Sequence, residues 1–180
     1  MRLVRSWPAD PPGEHARCVD ALERVLTPPF DYAPLAGLEA DVIHLDWDIA
    51  ADPALLARFA GRAAEDPDRV LVGPYLTWPG SRHGSDPSPR DLPGPVWTAK
   101  VYEDRTETAM RYVTETDVFA DLWGFGLVYL PHMWLVAFLL DQGGKMGDME
   151  FSGWYYRQAG PARLAWDCVP FHLNFPAPVL

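Results

Sequence analysis

The chain has 180 residues, 48% apolar and 13% aromatic, and its fifteen Lys and Arg against twenty-five Asp and Glu leave a formal charge of −10. This length and apolar content exclude a disordered polypeptide and fit one globular domain, 1–180, with a buried core. The negative balance repels nucleic-acid backbones and anionic membranes, so neither is an expected partner.

In chain order, Arg2–Trp7 reads as a first strand and Glu14–Leu26 as a helix with Cys18, Val19, Leu22, Val25 and Leu26 on one face. Thr27-Pro28-Pro29 stops it. A loop through Asp31–Gly37 leads to Val42–Ile49, VIHLDWDI, an apolar run that delivers two carboxylates at a strand end. Strand alternation sends Asp46 and Asp48 to one side and Trp47 to the other. Two carboxylates fixed side by side repel, and a cation or hydrogen-bond donors must compensate.

Asp52-Pro53 forms an N-cap and first-turn pair for a helix over Ala54–Ala64, with Leu55, Leu56, Phe59, Ala60 and Ala63 as its buried stripe. Glu65–Arg69 is turn-like, and Val70–Leu76 is a further buried strand. Thr77–Pro95 then changes character, rich in Pro and Gly with few apolar residues, and reads as a long mobile loop of the lid or binding type.

Val96–Tyr102 and Arg111–Val118 have strand composition. In Asp121–Leu130, DLWGFGLVYL, Gly124 and Gly126 flank Phe125 and permit a ligand to approach the backbone closely. Pro131 starts a helix with Met133, Trp134, Ala137 and Phe138 inward, closed near Gly143-Gly144. A second helix over about Glu150–Ala159 carries Phe151, Trp154, Tyr155 and Gln158 at helical spacing and stops at Gly160-Pro161. Leu164–Val169 is the last strand, and Pro170–Pro176 is an aromatic exit from it. Strands and helices alternate, the rhythm of an α/β domain.

The apolar run Gly126–Leu140 contains Pro131 and His132 and is shorter than the roughly 20 residues of a spanning helix, so no transmembrane segment is expected. Met1–Ser6 lacks a secretory pattern, and Cys18 and Cys168 have no CxxC spacing. A cytoplasmic protein with reduced thiols is the expectation.

Asp46 with Asp48, Asp148 with Glu150, and His172 follow strands or precede helices, positions that gather at the carboxyl ends of strands in an α/β sheet. Carboxylates with an imidazole suit Mn²⁺ or Mg²⁺. A further carboxylate is then available as a base.

A strand running into DWD at Asp46–Asp48, a helix ending in Gly143-Gly144, the segment GDMEFSGWYYRQAG at Gly147–Gly160, and a late strand leading to HLNF at His172 follow one another in an order that resembles a nucleotide-sugar glycosyltransferase of the GT-A fold, most like the inverting family-2 type. The resemblance spans roughly Ala40 to Asn174. It implies a single Rossmann-like domain whose central mixed, mostly parallel sheet is flanked by helices. It further implies a UDP or GDP sugar as donor, Mn²⁺ or Mg²⁺ as cofactor, and an acceptor that is a glycan, a protein, a lipid or a small molecule.

Residue by residue, the resemblance makes Asp48 the principal metal ligand, Asp46 a contact to the metal through water or to the donor's ribose or sugar, and His172 the third protein ligand. Asp148 or Glu150 is the base that takes the acceptor's proton. Ser6, Trp7, Asp46, Gly124 and Gly126 fall on the donor side, and Trp123 and Trp154 on the acceptor side. RLVRSWP is more basic than the family's opening strand, and the Glu14–Leu26 helix leads almost directly to the DWD strand, so the nucleotide-binding half is abridged.

VIHLDWDI also fits the first motif of haloacid-dehalogenase-type phosphatases, with Asp46 as nucleophile and Asp48 as general acid/base. Ala50 stands where those enzymes carry a small hydroxyl residue. A third reading is a non-catalytic carbohydrate- or protein-binding domain in which DWD is a solvated strand end and His172 an edge residue.

Overall fold

Strand β1, Arg2–Trp7, lies inside a seven-stranded sheet between β2, Glu23–Leu26, and β3, Val42–Leu45, both parallel to it. The computed structural model from which this is read describes residues 1–7, 22–28, 31–77, 95–104, 107 and 109–172. Residues 14–21 of the expected first helix, 78–94 of the expected loop and 173–176 of the aromatic exit lie outside them. Glu23–Leu26, expected as the end of that helix, is a strand: β1 offers it a full ladder from Val4 to Trp7, and Arg2 pairs with Glu23 across the edge. Long-range pairing overrides local helix propensity there.

A 3-10 helix, Ala33–Leu38, precedes β3. After β3 come the two-residue strand β4, Ile49–Ala50, helix α1, Pro53–Ala64, strand β5, Leu71–Gly73, and the short strands β6, Leu76–Thr77, and β7, Val96–Trp97. Next are β8, Ala99–Tyr102, β9, Met110–Tyr112, β10, Phe119–Ala120, β11, Leu122–Trp123, and β12, Leu127–Leu130. Helices α2, His132–Gln142, and α3, Asp148–Ala159, then lead to β13, Ala162–Leu164, and β14, Phe171–His172.

The large sheet has the order β10-β13-β5-β12-β3-β1-β2. Strands β1, β2, β3, β5 and β13 run one way, and β12 and β10 run against them. The fold is thus a mixed, partly parallel α/β sheet with helices on both faces.

Alternation along β3 builds two cores. Val42 points to the cluster formed with Val4, Val128, Leu130, Phe138, Phe151 and Trp154, while Ile43 and Leu45 point to the cluster formed with Leu55, Leu56 and Phe59 of α1. Helix α1 starts where the local signals place it, since Asp52 Oδ1 accepts from Leu55 N at 2.7 Å and Pro53 follows. Helix α2 begins after Pro131, and a distant group caps it: His132 N donates to Asp41 Oδ1 at 2.9 Å.

Several expectations move. Met133, read as inward, is exposed, and Leu135 joins Phe138 as a buried residue of α2. Helix α3 starts two residues early, at Asp148. Only Met110–Tyr112 is strand in the Arg111–Val118 region, because the Asp117 carboxylate gathers Arg111 Nη1 and Thr114 N into a turn. The strand expected over Leu164–Val169 is shorter and earlier: β13 ends at Leu164, Cys168 N closes a turn on Ala165 O at 3.0 Å, and the last strand is β14 in the segment read as an exit.

Candidate active site

From β1 the chain goes to β2 on one side and then to β3 on the other, so the crevice beyond the carboxyl ends of β1 and β3 is a topological switch point, where ligands bind in open α/β sheets. Ser6, in β1, and Asp46, the first residue after β3, adjoin each other at this end of the sheet. Ser6 Oγ donates to Asp46 Oδ1 at 2.6 Å. Tyr32 Oη donates to Asp46 Oδ2 at 3.2 Å, and Trp47 N to Asp46 Oδ1 at 3.0 Å. Despite these donors, burial first and the neighbouring Asp48 second push the Asp46 carboxyl up to about 7.

Asp46–Asp48 is a turn, not a strand end as expected: β3 stops at Leu45, and Ile49 N closes on Asp46 O at 3.1 Å. Arg5, buried under this turn, fixes it. Its Nη1 donates to Asp46 O at 2.6 Å and to Ile49 O at 2.8 Å. Beneath the turn His44 is fully buried, its Nδ1 2.7 Å from Phe125 O. Burial holds the imidazole down to about 3, so it is neutral at ordinary pH.

The turn feeds directly into β4, whose antiparallel pairing with β14 sets His172 opposite Ile49. His172 Nε2 therefore reaches Asp48 Oδ2 at 3.2 Å. Tyr75, two residues beyond β5, stacks on the His172 ring with centroids 5.4 Å apart and planes 20° from parallel. Gly124 and Gly126 make room for it. A Cβ at Gly126 would come within 2.0 Å of Tyr75 Cε1, and one at Gly124 would sit 3.3 Å from Tyr75 Oη and 3.3 Å from Asp148 Oδ2. Only glycine fits at 126 without displacing the ring.

Asp148 enters from α3, where it occupies the first turn after the Gly147 N-cap. Burial, then Asp46, Asp48 and Asp148, in that order, hold the Tyr75 phenol well above its usual range. The Tyr32 phenol is raised by burial and then by Asp46 and Asp148. Residues from six separate segments thus meet at one end of the sheet: Ser6, Tyr32, Asp46 with Asp48, Tyr75, Asp148 and His172.

Other expected site residues are placed elsewhere. Glu150 is exposed, its carboxylate folded back over the Gly147 backbone. Trp123 and Trp154, expected as acceptor platforms, are core residues. The Trp123 ring is fully buried edge-to-face against Tyr155, and Trp154 packs against Phe138 and Trp134 and donates from Nε1 to Asp141 Oδ2 at 2.7 Å. A sugar stacks on an open ring face, and neither offers one. Trp7 lies at the carboxyl end of β1, half-buried, with the Arg24 guanidinium 4.2 Å above its ring.

Among the described residues, no three His, Cys, Asp or Glu side chains are grouped to hold a metal ion. The pair Asp48 Oδ2 and His172 Nε2 nonetheless has a fitting separation, 3.2 Å, since adjacent donors on an octahedral ion with bonds of about 2.1 Å are about 3 Å apart. Small divalent ions of this kind take one or two protein ligands and complete their shell with water and phosphate oxygens. Asp48 and His172 are two such ligands, their side chains 13% and 15% exposed.

Arg5, Tyr32 and Tyr75 were not among the residues expected from the sequence. Tyr75 carried a usable signal, a polar aromatic just past the end of a buried strand. Arg5 and Tyr32 carried none, because their roles are set by partners about 41 and 14 residues away.

No protein-family model matches the chain, and no curated protein matches it. Among solved structures the chain is similar to the crystal structure of A197 from STIV, with a TM-score of 0.50 and 11% sequence identity over 95% of this chain and 81% of that one. At that identity the likeness bears on the fold alone, and the two share a mixed α/β architecture built on one central sheet.

Proposed function

We propose that this protein is a divalent-cation-dependent glycosyltransferase that moves a sugar from a UDP or GDP sugar to an acceptor hydroxyl with inversion. The observation that carries the reading is the meeting of Asp46 and Asp48 with Asp148, about a hundred residues later, and with His172, at the carboxyl-end crevice between β1 and β3. Crevices of this kind bind nucleotides in α/β sheets.

Asp48 and His172 would hold Mn²⁺ or Mg²⁺. The bound cation neutralises charge on a departing diphosphate. Ser6 and Asp46 line the donor side, and Trp7 with Arg24 above it offers a flat, cationic wall at the end of β1. Asp148, in the first turn of α3 with its Oδ2 beside Gly124 and the Tyr75 hydroxyl, is the base. Glu150 is too exposed for that role. Two of the three donors on Asp46 occupy Oδ1 and one occupies Oδ2, which counts against Asp46 as an open phosphatase nucleophile. The reading goes with a cytoplasmic protein whose buried Cys168 is a thiol.

Calorimetric titration with UDP, GDP and their sugars, with and without Mn²⁺, tests it. Micromolar binding that needs Mn²⁺, and that weakens at least about tenfold in Asp48→Ala, is the expected result. Absence of nucleotide binding under every metal condition removes the proposal. Release of phosphate from an aryl phosphate would favour the phosphatase reading instead.

A further inference from the structure

The geometry points to Tyr75 as a positioning residue for the cation site: its ring holds the His172 imidazole against Asp48. This role rests on the reading of Asp48 and His172 as cation ligands. Three constraints fix the ring. The Tyr75 carbonyl accepts from Thr98 N at 3.0 Å and Thr98 Oγ1 at 3.2 Å, so its backbone is anchored to Thr98. The Gly126 backbone lies flush against the ring, leaving no space for a Cβ. The hydroxyl reaches the wall formed by Gly124 and Asp148.

His172 depends on such support. It is the last residue of a two-residue strand, and its hydrogen-bonded neighbour β4 is equally short. Two-stranded pairs of this size are marginal alone, so the ring orientation must be set by packing. Asp48 holds the ring at Nε2, and the face of Tyr75, 5.4 Å away and 20° from parallel, is the packing contact that supports its plane. A ligand held this way loses little rotational freedom when a cation binds, and that raises affinity.

Titration of Mn²⁺ alone into the full chain, by calorimetry and by electron paramagnetic resonance of the free ion, compares wild type with Tyr75→Phe and Tyr75→Leu. Tyr75→Phe keeps the stacked face and should bind Mn²⁺ within about twofold of wild type, whereas Tyr75→Leu should bind about tenfold more weakly. Equal affinity in all three variants overturns the positioning role and leaves the cation site standing. A loss in Tyr75→Phe as large as in Tyr75→Leu also overturns it, since the hydroxyl and not the ring face would then matter.

Should Tyr75→Leu not fold, the His172 ring-proton resonances of wild type and Tyr75→Phe decide. A ring-current shift upfield in both supports the stack, and unshifted resonances overturn it. Wild-type protein that binds neither Mn²⁺ nor nucleotide overturns the glycosyl-transfer reading, and the role of Tyr75 falls with it.

Discussion

A fully buried imidazole and a half-buried carboxyl of opposite tendency sit two residues apart at the candidate site. His44 titrates at about 3 in the folded chain against about 6.5 unfolded, so below pH 6.5 the unfolded state takes up a proton that the folded state refuses. This costs stability as pH falls, by up to about 1.4 kcal/mol per pH unit until about pH 3. Asp46 is raised to about 7 from about 4, so its contribution is fully present below pH 4 and is lost as pH rises through 7. Between about pH 4 and 6.5 the two slopes oppose each other. In metal-free protein, Asp46→Asn should therefore lose stability on acidification from pH 6.5 to 4.5 more steeply than wild type, as read by urea denaturation at several pH values. Parallel pH dependence of the two proteins would refute this assignment. Arg5 gives a second test at this scale. Arg5→Met leaves the Asp46 and Ile49 carbonyls without their charged donor and should cost about 3 kcal/mol in the same assay.

Single elements differ in how far they are locally determined. Helix α1 has its cap, its first-turn proline and its apolar stripe within thirteen residues of sequence, and it folds where those signals put it. Asp52→Ala should cost about 1 kcal/mol and lower the thermal midpoint by a few degrees, with the helix otherwise intact by circular dichroism. Strand β2 is the opposite case: its residues suit a helix, and only the open edge of β1 makes them a strand. Strand β12 explains Gly126 in the same terms, since the glycine is required by a tyrosine that arrives from the end of β5. Gly126→Ala should displace Tyr75 and weaken Mn²⁺ binding about as much as Tyr75→Leu, measured by the same titration.

At the scale of the molecule, charge decides what can approach. A chain at −10 whose crevice gathers three carboxylates attracts divalent cations and repels free diphosphates. Nucleotide binding without Mn²⁺ should be too weak to detect, and Mn²⁺ affinity should fall several-fold between about 20 and 200 mM monovalent salt as screening grows. Salt-independent Mn²⁺ affinity would place the ion outside this field. Among the described residues no helix is long and apolar enough to cross a membrane.

The sequence by itself determined the α/β rhythm, the capped start of α1, the Pro131 and Gly160 boundaries, and the carboxylates Asp46, Asp48, Asp148 and Glu150 as the residues to watch, because each rests on spacing and chemistry within a few neighbours. Only the tertiary structure decided that Asp148 and not Glu150 reaches the crevice, that Trp123 and Trp154 are core, and that Arg5, Tyr32 and Tyr75 build the site. Their surroundings come from strands far apart in the chain, and a side chain's burial and partners are properties of that assembly, which no local pattern encodes.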